Sequence, residues 1–129
     1  MDSGWWIERN KVKDYKELDV WKKSMDLVIE VYNITKKFPK EEKYVLTDHI
    51  RKSCISIPSN ISEGATRHST KEFIQFLYIA LGSASELETQ LLIVKRLNYL
   101  DNNDKIFGKI ISIRKMLNSL ISSLKRKIS

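Results

Sequence analysis

Apolar residues recur along most of the chain at alternating spacings of three and four, the signature of α-helices with one buried face. From about Tyr15 to Lys37 one stripe reads Leu18, Trp21, Met25, Val28, Tyr32, and a second reads Val20, Leu27, Val31, Ile34, Phe38. A helix in a monomeric bundle buries a single such face. Two adjoining faces point either to a helix sunk deep between its neighbours or to one that also packs on another subunit. Phe38-Pro39 ends this helix, because the residue before a proline is driven out of the α region. A second helix begins between Lys40 and Thr47 and carries Leu46, Ile50, Cys54, Ile57 and Ile61 inward. Pro58 interrupts that stripe and removes a hydrogen bond to the Cys54 carbonyl. The period nevertheless continues to Ile61, so one kinked helix is expected, with Gly64 as its terminator.

Ser69 and Glu72 have the spacing of a capping box, in which each side chain satisfies a backbone donor at a helix start. The third helix follows, from about Thr70 to Asn98, burying Phe73, Leu77, Ala80, Ala84, Leu87, Leu91 and Val94. Gly82 in mid-helix costs about 1 kcal/mol relative to alanine. Beside Ser83, Ala84 and Ser85 it reads as a tight helix crossing. Asp101 is a suitable N-cap for a fourth helix from about Asn102 to Lys127. There Ile106, Ile110, Ile113, Leu117, Leu120, Leu124 and Ile128 form a near-heptad seam, suited to antiparallel packing at about 20°. The expectation is an all-α, up-down-up-down antiparallel four-helix bundle over residues 15–129, preceded by an arm, residues 1–14, with an apolar knot at Trp5, Trp6 and Ile7.

Composition adds boundaries. A chain of 129 residues suits one domain, and only 4 Gly and 2 Pro argue against a turn-rich β architecture. The single cysteine, Cys54, cannot form an internal disulfide, which suits a reducing compartment. No apolar run reaches the roughly 18 residues of a membrane span, and the N-terminus lacks the apolar core of a secretion signal. A cytoplasmic protein without a membrane partner is therefore expected.

Charge is unevenly placed within a net +7. Residues 1–64 hold 12 Lys/Arg against 11 Asp/Glu, whereas residues 65–129 hold 11 against 5. From Lys105 onward there are seven bases and no acid. Such one-signed segments favour an anionic partner, most often nucleic acid, although a basic surface also serves solubility.

No pattern points to catalysis or a cofactor. Di-iron bundles use Glu-x-x-His pairs, and neither His49 nor His68 follows a glutamate by three. The stretch GATRHST lacks the second glycine and the lysine of a phosphate loop. Cys54 lies on an apolar stripe and reads as a small buried hydrophobe. What stands out is polar: Ser56, Asn60, Glu63 and Arg67 on one side of the Gly64 turn, Ser83 and Glu86 on the other. Polar groups at a helix crossing must find partners. These are expected to form a structural network with Pro58, Gly64 and Gly82, and Glu63 is spaced to pair with Arg67.

FPKEEKYVLTDHIRKSCISIPSNISEGATR followed by KEFIQFLYIALGSASELETQ closely resembles the four-helix-bundle proteins encoded within 23S rRNA intervening sequences. Their relatives include accessory variability proteins of diversity-generating retroelements. The resemblance spans about Tyr15 to Leu100. It implies a ring-like homopentamer with a basic surface, no established catalytic residue, and, among retroelement members, binding to nucleic acid and a reverse transcriptase. The chain departs from that pattern at His49, Lys52 and Leu81, where glutamine, arginine and arginine are usual.

The resulting expectation is a non-enzymatic, homo-oligomeric protein that binds nucleic acid, RNA above DNA, through phosphate contacts. Arg51, Lys52, Arg67, Lys71, Arg114, Lys115, Lys125 and Arg126 are the candidate contacts. No aromatic-basic interleaving is visible along the chain, so weak sequence specificity is expected. The alternative is a protein-interaction scaffold, for instance an accessory subunit of a reverse transcriptase.

Overall fold

The computed structural model describes residues 14–101 and 105–128. Four α-helices carry the chain: α1 (Asp19–Thr35), α2 (Asp48–Ala65), α3 (Thr70–Arg96) and α4 (Ile106–Ile128). No strand occurs among the described residues. A 3-10 turn at Tyr15–Glu17 precedes α1, with the Asp14 carboxylate accepting the Lys16 N–H at 2.7 Å. Trp5, Trp6 and Ile7 lie outside the described residues.

Side-chain contacts fix the antiparallel order. Ser53 meets Glu86 and Ser56 meets Ser83, so α2 and α3 run in opposite directions. Arg114 reaches Glu88 and Lys125 covers the Tyr78 ring, which reverses α4 against α3. Lys109 pairs with Glu30 and closes α4 onto α1. The core inside this ring includes Leu27, Val31, Ile50, Ile57, Ile61, Phe73, Leu77, Leu87, Leu91, Ile110, Ile113 and Leu117.

The two apolar faces of α1 have different fates. Val20, Leu27 and Val31 are buried, together with Ser24 and Thr35, whose hydroxyls donate to the Val20 and Val31 carbonyls at 2.6 and 2.8 Å. Donating to a carbonyl four residues back satisfies a buried hydroxyl without leaving the helix. On the other face Leu18, Trp21, Val28 and Tyr32 are half-buried, while Met25 is 41% and Ile29 61% exposed.

α2 runs unbroken through the buried Pro58, as the continuing apolar period requires. Gly64 does not terminate it. The helix passes through Gly64 to Ala65, and no described glycine has a positive φ. The reason is space: a Cβ at Gly64 would lie 2.6 Å from the Phe76 Cβ and 2.9 Å from Phe73 Cδ1. The close approach expected at Gly82 is therefore found at Gly64. Gly82 opens to solvent, with no atom within 4 Å of an added Cβ.

α3 is capped at its start by Ser69, whose hydroxyl accepts the Glu72 N–H at 3.0 Å. The return half of the capping box is altered, since the Ser69 hydroxyl donates to the Glu72 carboxylate at 3.1 Å and holds it there. At the other end Asn98 takes the left-handed conformation, φ 64°. Tyr99 N–H then donates to Val94 at 2.9 Å and Asn98 N–H to Lys95 at 3.1 Å, the paired bonds of a Schellman stop.

α4 begins at Ile106, with Lys105 still in a turn; residues 102–104, which an Asp101 cap would serve, lie outside the described residues. Its buried seam is Ile106, Ile110, Ile113, Leu117, Ile121 and Leu124. Leu120 is only half-buried and Ile128 is exposed, in contrast to the heptad reading. A straight α-helix repeats every 3.6 residues and drifts off a 3.5 repeat within two heptads, so the inward position moves from 120 to 121.

The two glycines provide a paired test by denaturant unfolding. Gly64→Ala should destabilise by about 1–3 kcal/mol, overpacking outweighing the gain in helix propensity. Gly82→Ala should stabilise the folded chain by about 0.5–1 kcal/mol.

Candidate nucleic-acid interface

The polar residues between α2 and α3 divide into three groups. The Ser56 and Ser83 hydroxyls are 2.8 Å apart, and the Asn60 amide donates to both the Ser56 hydroxyl and its carbonyl at 2.9 and 2.8 Å. Ser53 donates to Glu86 at 3.1 Å. Glu63 pairs with Arg67 at 2.6 Å, one turn apart and solvated. The sequence reading missed Ser53, because a serine on a helix whose partner is 33 residues away has no local signature.

Arginines and lysines among the eight candidate contacts behave differently. Arg67 is held by Glu63 and by the Phe76 ring, 4.7 Å from its guanidinium carbon. Arg114 donates to Glu88 at 2.7 Å. Arg51 lies over the Tyr32 ring at 4.3 Å, and its Nε donates to the Thr35 hydroxyl at 2.9 Å. Lys52, Lys71 and Lys115 are exposed. The Lys125 ammonium sits 5.1 Å from the centre of the Tyr78 ring. With Arg126 and Lys127 it occupies the last turn of α4, where cations also offset the negative end of the helix dipole.

Antiparallel packing places Arg67, Lys71, Lys125 and Arg126 at one end of the bundle. Arg51 and Lys52 lie toward the opposite end, and Arg114 and Lys115 lie midway along α4. One chain thus carries separated basic regions rather than a single stripe. At the end near Arg51, Tyr32, Tyr44, Asp48, His49, Arg51, Lys52 and Ile55 line an open cleft of about 400 Å³.

Cys54 is fully buried, and its thiol is pushed up to about 12, first by burial and then by the charge of Glu30. A thiol this far from ionisation is a poor nucleophile. Among the described residues no group of three His, Cys, Asp or Glu side chains converges to hold a metal. No helix among them is long and apolar enough to cross a membrane.

Together these features define a basic antiparallel four-helix bundle. Residues 16–119 match the family model described as 23S rRNA-intervening sequence protein. The chain belongs to that family. It is similar to a crystal structure from Bacteroides thetaiotaomicron described as a protein with unknown function from the S23 ribosomal protein family. The two share 32% identity with a TM-score of 0.74, over 80% of this chain and 95% of that one. No curated protein matches the chain.

Two measurements follow from this geometry. A Ser56→Ala/Ser83→Ala double-mutant cycle should show a coupling of about 0.5–1.5 kcal/mol. Cys54 should resist thiol reagents at about pH 8 until denaturant unfolds the chain. Because its folded pKa is raised from 9.0, the stability it contributes is complete below pH 9.0 and falls as pH rises toward 12. A stability titration should show this loss, and Cys54→Ala should reduce it.

Proposed function

We propose that the protein is a non-catalytic, self-associating RNA-binding bundle whose affinity comes mainly from lysine and arginine contacts with phosphates. The observation that carries this reading is α4: the chain from Lys105 onward has seven bases and no acid, and Lys115, Lys125 and Arg126 are exposed. The family's description as an rRNA intervening-sequence product makes RNA the favoured anion. Exposed lysines on flexible stems favour phosphate binding with little base discrimination.

Self-association is supported by the outer face of α1, where Met25 and Ile29 stand exposed beside half-buried Leu18, Trp21 and Val28. Burying such a patch against a second copy recovers apolar area. A closed ring, the pentamer of the family resemblance, would also multiply each chain's +7 into a stronger field.

Fluorescence anisotropy with a structured RNA hairpin across a salt series tests the reading. Sub-micromolar affinity at low salt should fall linearly on a log–log plot, with a slope of about −0.9 per phosphate neutralised in a duplex. A double Lys115→Glu/Lys125→Glu variant should bind more weakly while eluting at the same mass as wild type. Absence of binding at low salt would reject RNA and turn attention to an acidic protein partner. Light scattering should give a multiple of 15.1 kDa; a monomer at all concentrations would reject self-association.

A further inference from the structure

We propose that the cleft between α1 and the start of α2 is a stacking site for an unpaired RNA base, with Tyr44 as the platform and Arg51 and Lys52 as the phosphate contacts. This rests on the RNA-binding reading above and assigns it a second, non-electrostatic component.

Tyr44 is the starting observation. It lies on a single π-helical turn, Lys43–Thr47, that leads directly into α2. Such turns are rare and often mark functional sites. Its side chain is 75% exposed, and Val45 beside it is 62% exposed. A tyrosine ring left in water forgoes the large burial energy that aromatic residues usually contribute. The Lys43 ammonium lies 5.4 Å from the centre of the ring. At 75% exposure the ring remains accessible to a flat partner.

Across the cleft, Arg51 is already oriented. Its guanidinium is stacked at 4.3 Å on Tyr32, and its Nε is tied to Thr35. The Thr35 hydroxyl is in turn anchored to the Val31 carbonyl at 2.8 Å. These contacts use one face and the Nε–H, and among the described residues the terminal amino groups have no acidic partner within bonding distance. A guanidinium fixed in this way offers the planar fork that suits a phosphate. Lys52 and His49 line the same cleft, and its one acidic lining residue is Asp48. Nearby Glu42 is engaged by the Tyr99 hydroxyl at 3.0 Å. The cleft is open to solvent over its roughly 400 Å³.

An open aromatic face beside fixed and mobile cations is the arrangement that holds single-stranded nucleic acid, because every base has a π-face and the backbone brings phosphates. A base within a duplex has both faces covered by its neighbours. The site therefore selects unpaired strand, whereas the α4 lysines do not distinguish the two.

The test compares binding of a short single-stranded oligoadenylate, an abasic strand of equal length and a fully paired RNA duplex. Each is titrated by anisotropy against wild type, Tyr44→Ala and Tyr44→Phe. Tyr44 is exposed, so circular dichroism should be unchanged in both variants. Tyr44→Ala should weaken oligoadenylate binding about 5- to 100-fold. It should leave the duplex and the abasic strand within about twofold and the salt slope unchanged, since no charge is lost. Tyr44→Phe should bind like wild type, because stacking needs the ring and not the hydroxyl. Equal affinity of Tyr44→Ala and wild type for oligoadenylate, or an equal loss on all three RNAs, would overturn the stacking site while leaving phosphate-driven RNA binding standing. If wild type binds none of the RNAs, the RNA-binding reading fails and the stacking site falls with it.

Discussion

The close approach of α2 and α3 at Gly64 is the constraint on which the arrangement depends. The Cβ of Phe76 and the ring of Phe73 occupy the space a side chain would need at Gly64, so two helix backbones come together at the end where they are joined. From that contact the two helices run on antiparallel, passing the Ser56–Ser83 and Ser53–Glu86 hydrogen bonds in turn. Phe76 also carries the Arg67 guanidinium on its ring. One steric requirement thus sets the α2–α3 register, positions the connecting loop and holds a basic side chain at the bundle end. Pro58 lies within α2 and is buried.

A second principle is the division of work among cations. Arg67 and Arg114 are engaged by acids, and Arg51 is fixed by a ring and a threonine hydroxyl. Surface ion pairs of this kind add little stability, roughly 0–1 kcal/mol each, but they determine where a guanidinium points. Lys52, Lys71 and Lys115 remain extended into solvent. Flexible ammonium groups attract phosphates over a broad surface, whereas a fixed guanidinium defines a place. Among the described residues, Arg51 is a fixed guanidinium that lines an open cleft together with Tyr32 and Tyr44.

Repacking would reach function through the same contacts. The α1 outer face is apolar enough to seek cover, yet the chain's own helices leave Met25 and Ile29 exposed. The half-open Gly82 surface of α3, with Ile79 and Ile93 exposed on the same helix, is a second such region. The Gly82 surface lies away from the Tyr44 cleft in sequence, whereas Tyr32, which lines that cleft, lies one turn beyond Ile29 on α1.

The sequence by itself determined the all-helical class, the four helices in order, the continuation of α2 through Pro58, the Ser69 cap and most of the core, because helical periodicity and capping are local properties. It also placed Ser56, Asn60 and Ser83 among the polar residues to be reconciled. It misplaced the close helix approach, because a glycine shows that a side chain is absent without showing which neighbour fills the space; only packing distinguishes Gly64 from Gly82. It placed the α4 seam one residue early at Leu120, since 3.5 and 3.6 repeats drift apart by about 20° per heptad. The absence of aromatic-basic interleaving along the chain led to an expectation of weak sequence specificity, and interleaving is a property of neighbouring positions only. Tyr32, Tyr44 and Arg51 belong to three different segments, and only the fold of α1 against α2 brings them around one cleft.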